Sequence, residues 1–189
     1  MKIILGSQSK LRKKILEEMG LEFEVMPADI DERAIRFENP QELVISIAKA
    51  KAEALKPKIS GDAILITSDL VVFCNGGIRE KPKDEKEARQ FLESYNIYPA
   101  KTIGAIVVIN LKTGKTIQEV DITQVFFNHF SKEDIDNFIK EGDVFNMAGG
   151  FSVEGELWMS HIERIEGDKD SARGMSKNIL SRLIEEVIN

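Results

Sequence analysis

The sequence predicts an α/β (α+β) protein with a mixed sheet, and three observations point that way. Apolar residues recur at helical spacing in several segments, β-branched apolar runs of strand length lie between them, and the two longest strands follow one another with no helix between. Sequential strands exclude a regular doubly wound βαβ array, which would alternate strictly. The first element is the strand Ile3-Ile4-Leu5, which runs into Gly6-Ser7-Gln8-Ser9 and a helix. On that helix Leu11, Ile15, Leu16 and Met19 form one apolar stripe, and Gly20 can end it before a short strand over 22–26. Residues 28–39 read as loop. Pro40 opens a second helix through Leu55, with Leu43, Ile47, Ala50 and Ala54 on its inner side. An apolar strand over 63–73 carries Asp69 within it, and Asn75-Gly76-Gly77 turns it into a hairpin. Asp84 with Glu87 signals the start of a third helix reaching about Ser94. Two long strands follow, 101–110 and 115–128, joined at Lys112-Thr113-Gly114; Ser131 with Asp134 then caps a helix to Glu141. A strand over 156–165 and a terminal amphipathic helix over 176–187 complete the plan.

Composition bounds the function. At 189 residues, 42% hydrophobic and 31% charged, the chain fits one globular domain, 1–189, with a sizeable core. A net charge of -6 argues against a surface that coats a nucleic-acid polymer, while a local basic pocket for a small anion remains compatible. The single Cys74 excludes an internal disulfide framework and two distant histidines exclude a zinc-type cluster, so a reducing, cytoplasmic setting is expected. No apolar run approaches the ~20 residues of a membrane span, and no signal-type segment opens the chain.

Several residues carry possible chemistry. Ser7 and Ser9 at a helix N-terminus, with Lys10, Arg12, Lys13 and Lys14 just beyond, suit an anion such as phosphate, because hydroxyls, free N–H groups and cations converge there. The same pattern also describes an N-cap with a solvated basic face. Neither G-x-x-x-x-G-K-[ST] nor a helix-opening G-x-G-x-x-G is present. Asp69 interrupts a run that should be buried, where an ionised carboxylate needs a partner, a metal or backbone donors. Glu32, in Asp29-Ile30-Asp31-Glu32, reads as an acidic loop residue. Lys51, in a helix rich in Lys and Ala, reads by itself as solvent-facing, and Lys81-Pro82 as a turn. Spacing alone does not join these residues.

A resemblance joins them. The segments Ser7-Gln8-Ser9-Lys10-Leu11-Arg12, Asp29-Ile30-Asp31-Glu32, Ala48-Lys49-Ala50-Lys51-Ala52, Thr67-Ser68-Asp69-Leu70-Val71, Lys81-Pro82, Ala148-Gly149-Gly150-Phe151 and Glu163-Arg164-Ile165-Glu166-Gly167 occur in order along nearly the whole chain. Together they resemble the motifs of the Maf family of nucleotide pyrophosphatases. The resemblance implies a twisted mixed sheet with two lobes and a central cleft, as in the inosine triphosphate pyrophosphatase fold. It also implies hydrolysis of a nucleoside triphosphate between the α and β phosphates with Mg²⁺ or Mn²⁺. In that scheme Asp69 is the proton acceptor, Glu32 and Asp69 hold the metal, Glu32 and Lys81 count with Asp69 as catalytic, and Ser7, Ser9, Arg12, Lys13, Lys51 and Lys81 bind the triphosphate. A homodimer is the family expectation.

The chain departs from the family pattern at informative places. Lys10-Leu11 replaces a Pro-Arg pair, Leu70 stands where Thr or Gln is usual, and Glu154 occupies a position that differs between branches. The resemblance implies that Leu11, Leu70 and Glu154 stand at the positions where the family sets base preference. A carboxylate accepts from the N1–H and N2–H₂ groups of guanine, whereas an amide can donate and accept as uracil or thymine requires, so Glu154 favours the 7-methyl-GTP branch over the dTTP/UTP branch. The alternatives are a dTTP/UTP pyrophosphatase, a catalytically silent nucleotide-binding regulator, and an interaction protein whose basic first helix meets an acidic partner. Glu32, Lys51, Asp69 and Lys81 together speak against the last two, because a mere binder has little use for carboxylates beside phosphates.

Overall fold

A computed structural model describes the whole chain, residues 1–189. The elements are β1 (Lys2–Leu5), α1 (Lys10–Glu18), β2 (Phe23–Val25), α2 (Pro40–Leu55), β3 (Ala63–Cys74), β4 (Gly77–Arg79), α3 (Glu85–Tyr95), β5 (Ala100–Asn110), β6 (Thr116–Phe127), α4 (Lys132–Glu141), α5 (Glu156–His161), β7 (Ile162–Glu166), α6 (Lys169–Ala172) and α7 (Lys177–Ile188). The seven strands pair in the order β2-β1-β3-β5-β6-β7, with β4 also on β3. The sheet is mixed as expected: β1 runs parallel to β2 and β3, whereas β4 and β7 run antiparallel to β3 and β6.

Two compact units divide the chain, Met1–Asp69 with Gly104–Asp121 and Gly174–Asn189, and Leu70–Ile103 with Ile122–Arg173. In the first, Leu5, Ile64 and Ile66 pack with Ile15 and Leu16 of α1 and with Leu180 and Leu183 of α7. Each such buried side chain contributes roughly 1.5–3 kcal/mol relative to exposure. Helix α1 starts at Ser9, whose hydroxyl accepts from the Arg12 N–H, and ends in a Schellman arrangement. There Gly20, at φ +70, donates to Glu17 O while Leu21 donates to Leu16 O. Helix α2 begins as the sequence indicates, with Asn39 accepting from the Gln41 N–H and Pro40 in the first turn.

The core of the second unit is aromatic. Phe127, Phe130, Phe138, Phe151, Tyr95 and Trp158 are buried, Phe138 stacks on Trp158 at 3.9 Å, and Tyr95 and Phe127 meet Phe151 edge-on. Asn75 and Gly76 both adopt positive φ, closing the two-residue hairpin between β3 and β4. Ser131 and Asp134 form a complete capping box on α4. At α3 Asp84 accepts from the Glu87 N–H, but the Glu87 carboxylate takes the Lys83 N–H.

Two expectations need correction, and two short elements add to the plan. The strand expected over 156–165 is a helix in its first half: α5 sets Trp158 and His161 three residues apart on one face, where they stack on Phe138 and Phe130 respectively. On α2 the inner face is Leu43, Val44, Ile47, Ala48, Lys51, Ala52 and Leu55, with Ala50 and Ala54 only half-buried. The loop over 28–39 contains a 3-10 turn, Glu32–Ala34, capped by Asp31, and the short α6, capped by Asp168, has no counterpart in the sequence plan.

Candidate active site

The centre of the site is built by one register. Thr67 and Asp69 lie on the same face of β3, and Ala48 and Lys51 on the same face of α2, by the periods of strand and helix. Thr67 Oγ1 donates to Ala48 O at 2.8 Å, and this bond fixes the two elements so that Lys51 Nζ reaches Asp69 Oδ1 at 2.8 Å. The ammonium also contacts Glu32 Oε1 at 3.0 Å and donates to the Ser68 carbonyl at 3.4 Å. Lys51 and Asp69 are each only 7% exposed, whereas the Glu32 side chain is half exposed. The reading of Lys51 as solvent-facing is therefore overturned: the lysine sits on the buried face because Asp69 and Glu32 neutralise it there.

Arg12 forms the other wall. Its Nη1 donates to Ser68 O at 3.0 Å and to Ser7 Oγ at 3.3 Å, and its Nε donates to Gly174 O at 3.3 Å. Ser7 Oγ also accepts from the Ser9 N–H at 3.2 Å, so its hydroxyl proton is left to point elsewhere. Gly6 has a steric role: a Cβ there would fall 2.7 Å from Thr67 Cγ2 and 2.8 Å from Leu55 Cδ1, so only glycine lets β1 deliver Ser7 this close to β3. The first turn of α1 holds no acidic residue, which leaves its N-terminus favourable to an anion. Lys13 and Leu11 are half-buried on this helix.

Charge and burial act against each other here. Burial pushes the Asp69 carboxyl above its ordinary value, Lys51 and Arg12 pull it back down, and Glu32 adds a smaller upward push. Burial likewise lowers Arg12, opposed by Asp69 and Glu32, yet a guanidinium stays charged throughout the physiological range. Two cations and two carboxylates thus share one locus, the composition expected where an anionic ligand meets a carboxylate that must handle a proton.

Ser7, Ser9, Arg12, Lys13, Glu32, Lys51 and Asp69 all belong to the first unit. Leu70, Lys81 and Glu154 belong to the second; there Leu70 is half-buried and Lys81 exposed, and Pro82 is buried against Gly150, whose Cβ would stand 3.1 Å from Pro82 Cγ. Glu154 Oε1 accepts from Arg173 Nε at 2.6 Å. Sequence reasoning missed Arg173, and it missed the carbonyls of Ser68 and Gly174, which orient the two site cations. An aspartate three residues before an arginine, Asp170 to Arg173, was the one local signal available.

The chain matches the Maf-like protein family over residues 2–187. It belongs to that family. A 7-methyl-GTP pyrophosphatase from Dictyostelium discoideum is 42% identical, with 98% of this chain and 96% of that protein aligned. A dTTP/UTP pyrophosphatase from Clostridium perfringens is 33% identical over 98% of this chain and 96% of its own length. Among solved structures, a HAM1 protein from Coxiella burnetii superposes with a TM-score of 0.56 at 15% identity, covering 98% of this chain and 99% of that one, which shows the fold. The chain thus shares the fold of that HAM1 protein. No helix is long and apolar enough to cross a membrane.

Proposed function

We propose that this Maf-like protein hydrolyses a nucleoside triphosphate between its α and β phosphates, releasing the monophosphate and pyrophosphate, with preference for a guanine-type base such as that of 7-methyl-GTP. The observation that carries the reading is a buried carboxylate, Asp69, held at 2.8 Å by Lys51 beside Arg12 and the N-terminus of α1. Asp69 takes the proton of the attacking water. As the P–O bridge breaks, its electron pair leaves on the pyrophosphate, and Arg12, Lys51, Lys13 and Lys81 neutralise the charge that builds there. Ser7 and Ser9 supply hydroxyls to phosphate oxygens.

The reading includes a divalent cation, supported by the chemistry of the donors: the carboxylates of Glu32 and Asp69, which contact Lys51 Nζ at 3.0 and 2.8 Å, are hard oxygen ligands, and with phosphate oxygens they make the donor set that Mg²⁺ or Mn²⁺ prefers. Glu32 and Asp69 would hold the ion, which when bound supplies charge neutralisation at the phosphates. Glu154 would read the base by accepting from guanine N1–H and N2–H₂. The names of the two relatives support the reaction class, and the higher identity of the 7-methyl-GTP enzyme supports this base. A homodimer and a cytoplasmic setting belong to the same reading.

The test is pyrophosphate release from 7-methyl-GTP, GTP, UTP, dTTP, CTP and ITP with Mg²⁺ or Mn²⁺, for the wild type and for Asp69→Asn. The variant, in which Lys51 keeps Glu32 as a counter-ion, is expected to stay folded at assay temperature with a lowered Tm and to lose about 10²-fold or more in kcat, the range of a lost general base. Near-wild-type kcat in Asp69→Asn sinks the role of Asp69. Preference for UTP and dTTP keeps the enzyme and discards the base assignment, and nucleotide binding without turnover points to a silent regulator.

A further inference from the structure

We infer that Arg173 is a specificity-positioning residue: its guanidinium fixes the Glu154 carboxylate as a rigid acceptor for the base edge. The inference rests on Glu154 being the base reader. Arg173 is 7% exposed, and each edge of its guanidinium is engaged by a different acid: Nε donates to Glu154 Oε1 at 2.6 Å and Nη1 to Asp170 Oδ1 at 2.6 Å. A planar fork can hold two carboxylates at a set angle, which a lysine point charge does not.

The fork itself is anchored. Arg173 closes α6, with its N–H on Asp170 O at 3.0 Å; Asp168 caps that helix through the Asp170 N–H at 2.9 Å, and Thr123 Oγ1 of β6 donates to Asp168 O at 3.0 Å. Glu154 is held at its other end as well, since its N–H donates to the buried Ser152 Oγ at 3.0 Å. Backbone and carboxylate are thus both fixed, while a quarter of the Glu154 side chain stays accessible to a ligand. Fixing an acceptor before the ligand arrives lowers the ordering cost of binding, and it discriminates most against a base whose edge presents the wrong donors.

A purely structural ion pair would make a different prediction: its loss would weaken every nucleotide alike. The experiment therefore reads a ratio, kcat/KM for 7-methyl-GTP over kcat/KM for UTP, in the wild type, Glu154→Gln, Arg173→Met, Arg173→Lys and the double variant Glu154→Gln/Arg173→Met. Thermal unfolding of each serves as the folding control. Arg173→Met is expected to lower the ratio about tenfold, equivalent to ~1.4 kcal/mol of discrimination, through KM more than kcat. Arg173→Lys should fall between, and Arg173→Met should add nothing in the Glu154→Gln background. If Arg173→Met fails to fold, Arg173→Lys carries the test. A ratio lost in Glu154→Gln but kept in the Arg173 variants overturns the inference and leaves the base reading intact. A wild type that prefers UTP, or a ratio unmoved by Glu154→Gln, overturns the base reading and the inference with it.

Discussion

Replacing Lys51 by Met keeps the aliphatic stem that packs on α2 and removes only the ammonium. Glu32, half exposed, regains water at little cost. Asp69, 7% exposed, loses the hydrogen bond at 2.8 Å and its largest favourable charge, and Arg12 remains as its other cation. Removing one partner of a buried pair costs about 3–5 kcal/mol, and Arg12 places this case at the low end, about 3 kcal/mol above neutral pH. For a chain of this size that lowers Tm by roughly 6–12 °C. The deficit must depend on pH. The Asp69 carboxyl already lies above its ordinary value when folded, and losing Lys51 raises it further. The folded state then binds a proton that the unfolded state, with a carboxyl near about 3.9, has released, so stability falls as pH rises through the window between the two values. Thermal unfolding without nucleotide or metal should show Lys51→Met much weaker than wild type at pH 8 and closer to it at pH 5. The double variant Lys51→Met/Asp69→Asn, which removes both charges of the ion pair and leaves Arg12 the charge of Glu32, should recover most of the loss at pH 8. An equal deficit at both pH values, or a double variant as weak as Lys51→Met, refutes the account of Lys51 as the counter-ion of Asp69.

Two further substitutions test the packing around the site and in the aromatic unit. Gly149 has φ +69 and a Cβ there would meet Tyr95 Oη and Val72 Cβ at 2.8 Å, so Gly149→Ala combines left-handed strain with overpacking and should cost about 2–4 kcal/mol by urea unfolding. A loss under about 1 kcal/mol would mean that the turn relaxes freely. Ser68 Oγ is buried without a hydrogen-bond partner, so Ser68→Ala should be neutral or raise stability by up to about 1 kcal/mol, and a loss larger than that would show that a bound water or ligand satisfies the hydroxyl.

Local signals were read well from the sequence wherever the physics is local. Caps at Ser9 and Ser131, the Pro40 start of α2, the Asn75-Gly76 turn and the long apolar run of β3 depend on neighbours within about four residues, and each stands where the residues indicate. The segment over 156–165 shows the opposite case. Its local pattern suits a strand, but Trp158 and His161 gain stacking partners from α4 and the preceding loop only if residues 156–161 coil, and that tertiary gain decides the conformation.

The candidate site divides along the same line. Asp69 was conspicuous because a charge in a buried strand breaks a local rule, and the break itself points to a partner. Lys51 was not conspicuous, because an Ala- and Lys-rich helix offers no local reason to choose which lysine is buried. That choice is made by a strand residue 18 positions away, through the register that Thr67 and Ala48 set. Arg173 hides for the same reason: its partner Glu154 lies 19 residues upstream on another segment. Buried opposite charges are legible one at a time, as costs. Their pairing is legible only in the fold, so the cost of Asp69 in β3 and the position of Lys51 on α2 are two halves of one constraint: each residue lowers the cost of burying the other, with Arg12 and Glu32 as further partners.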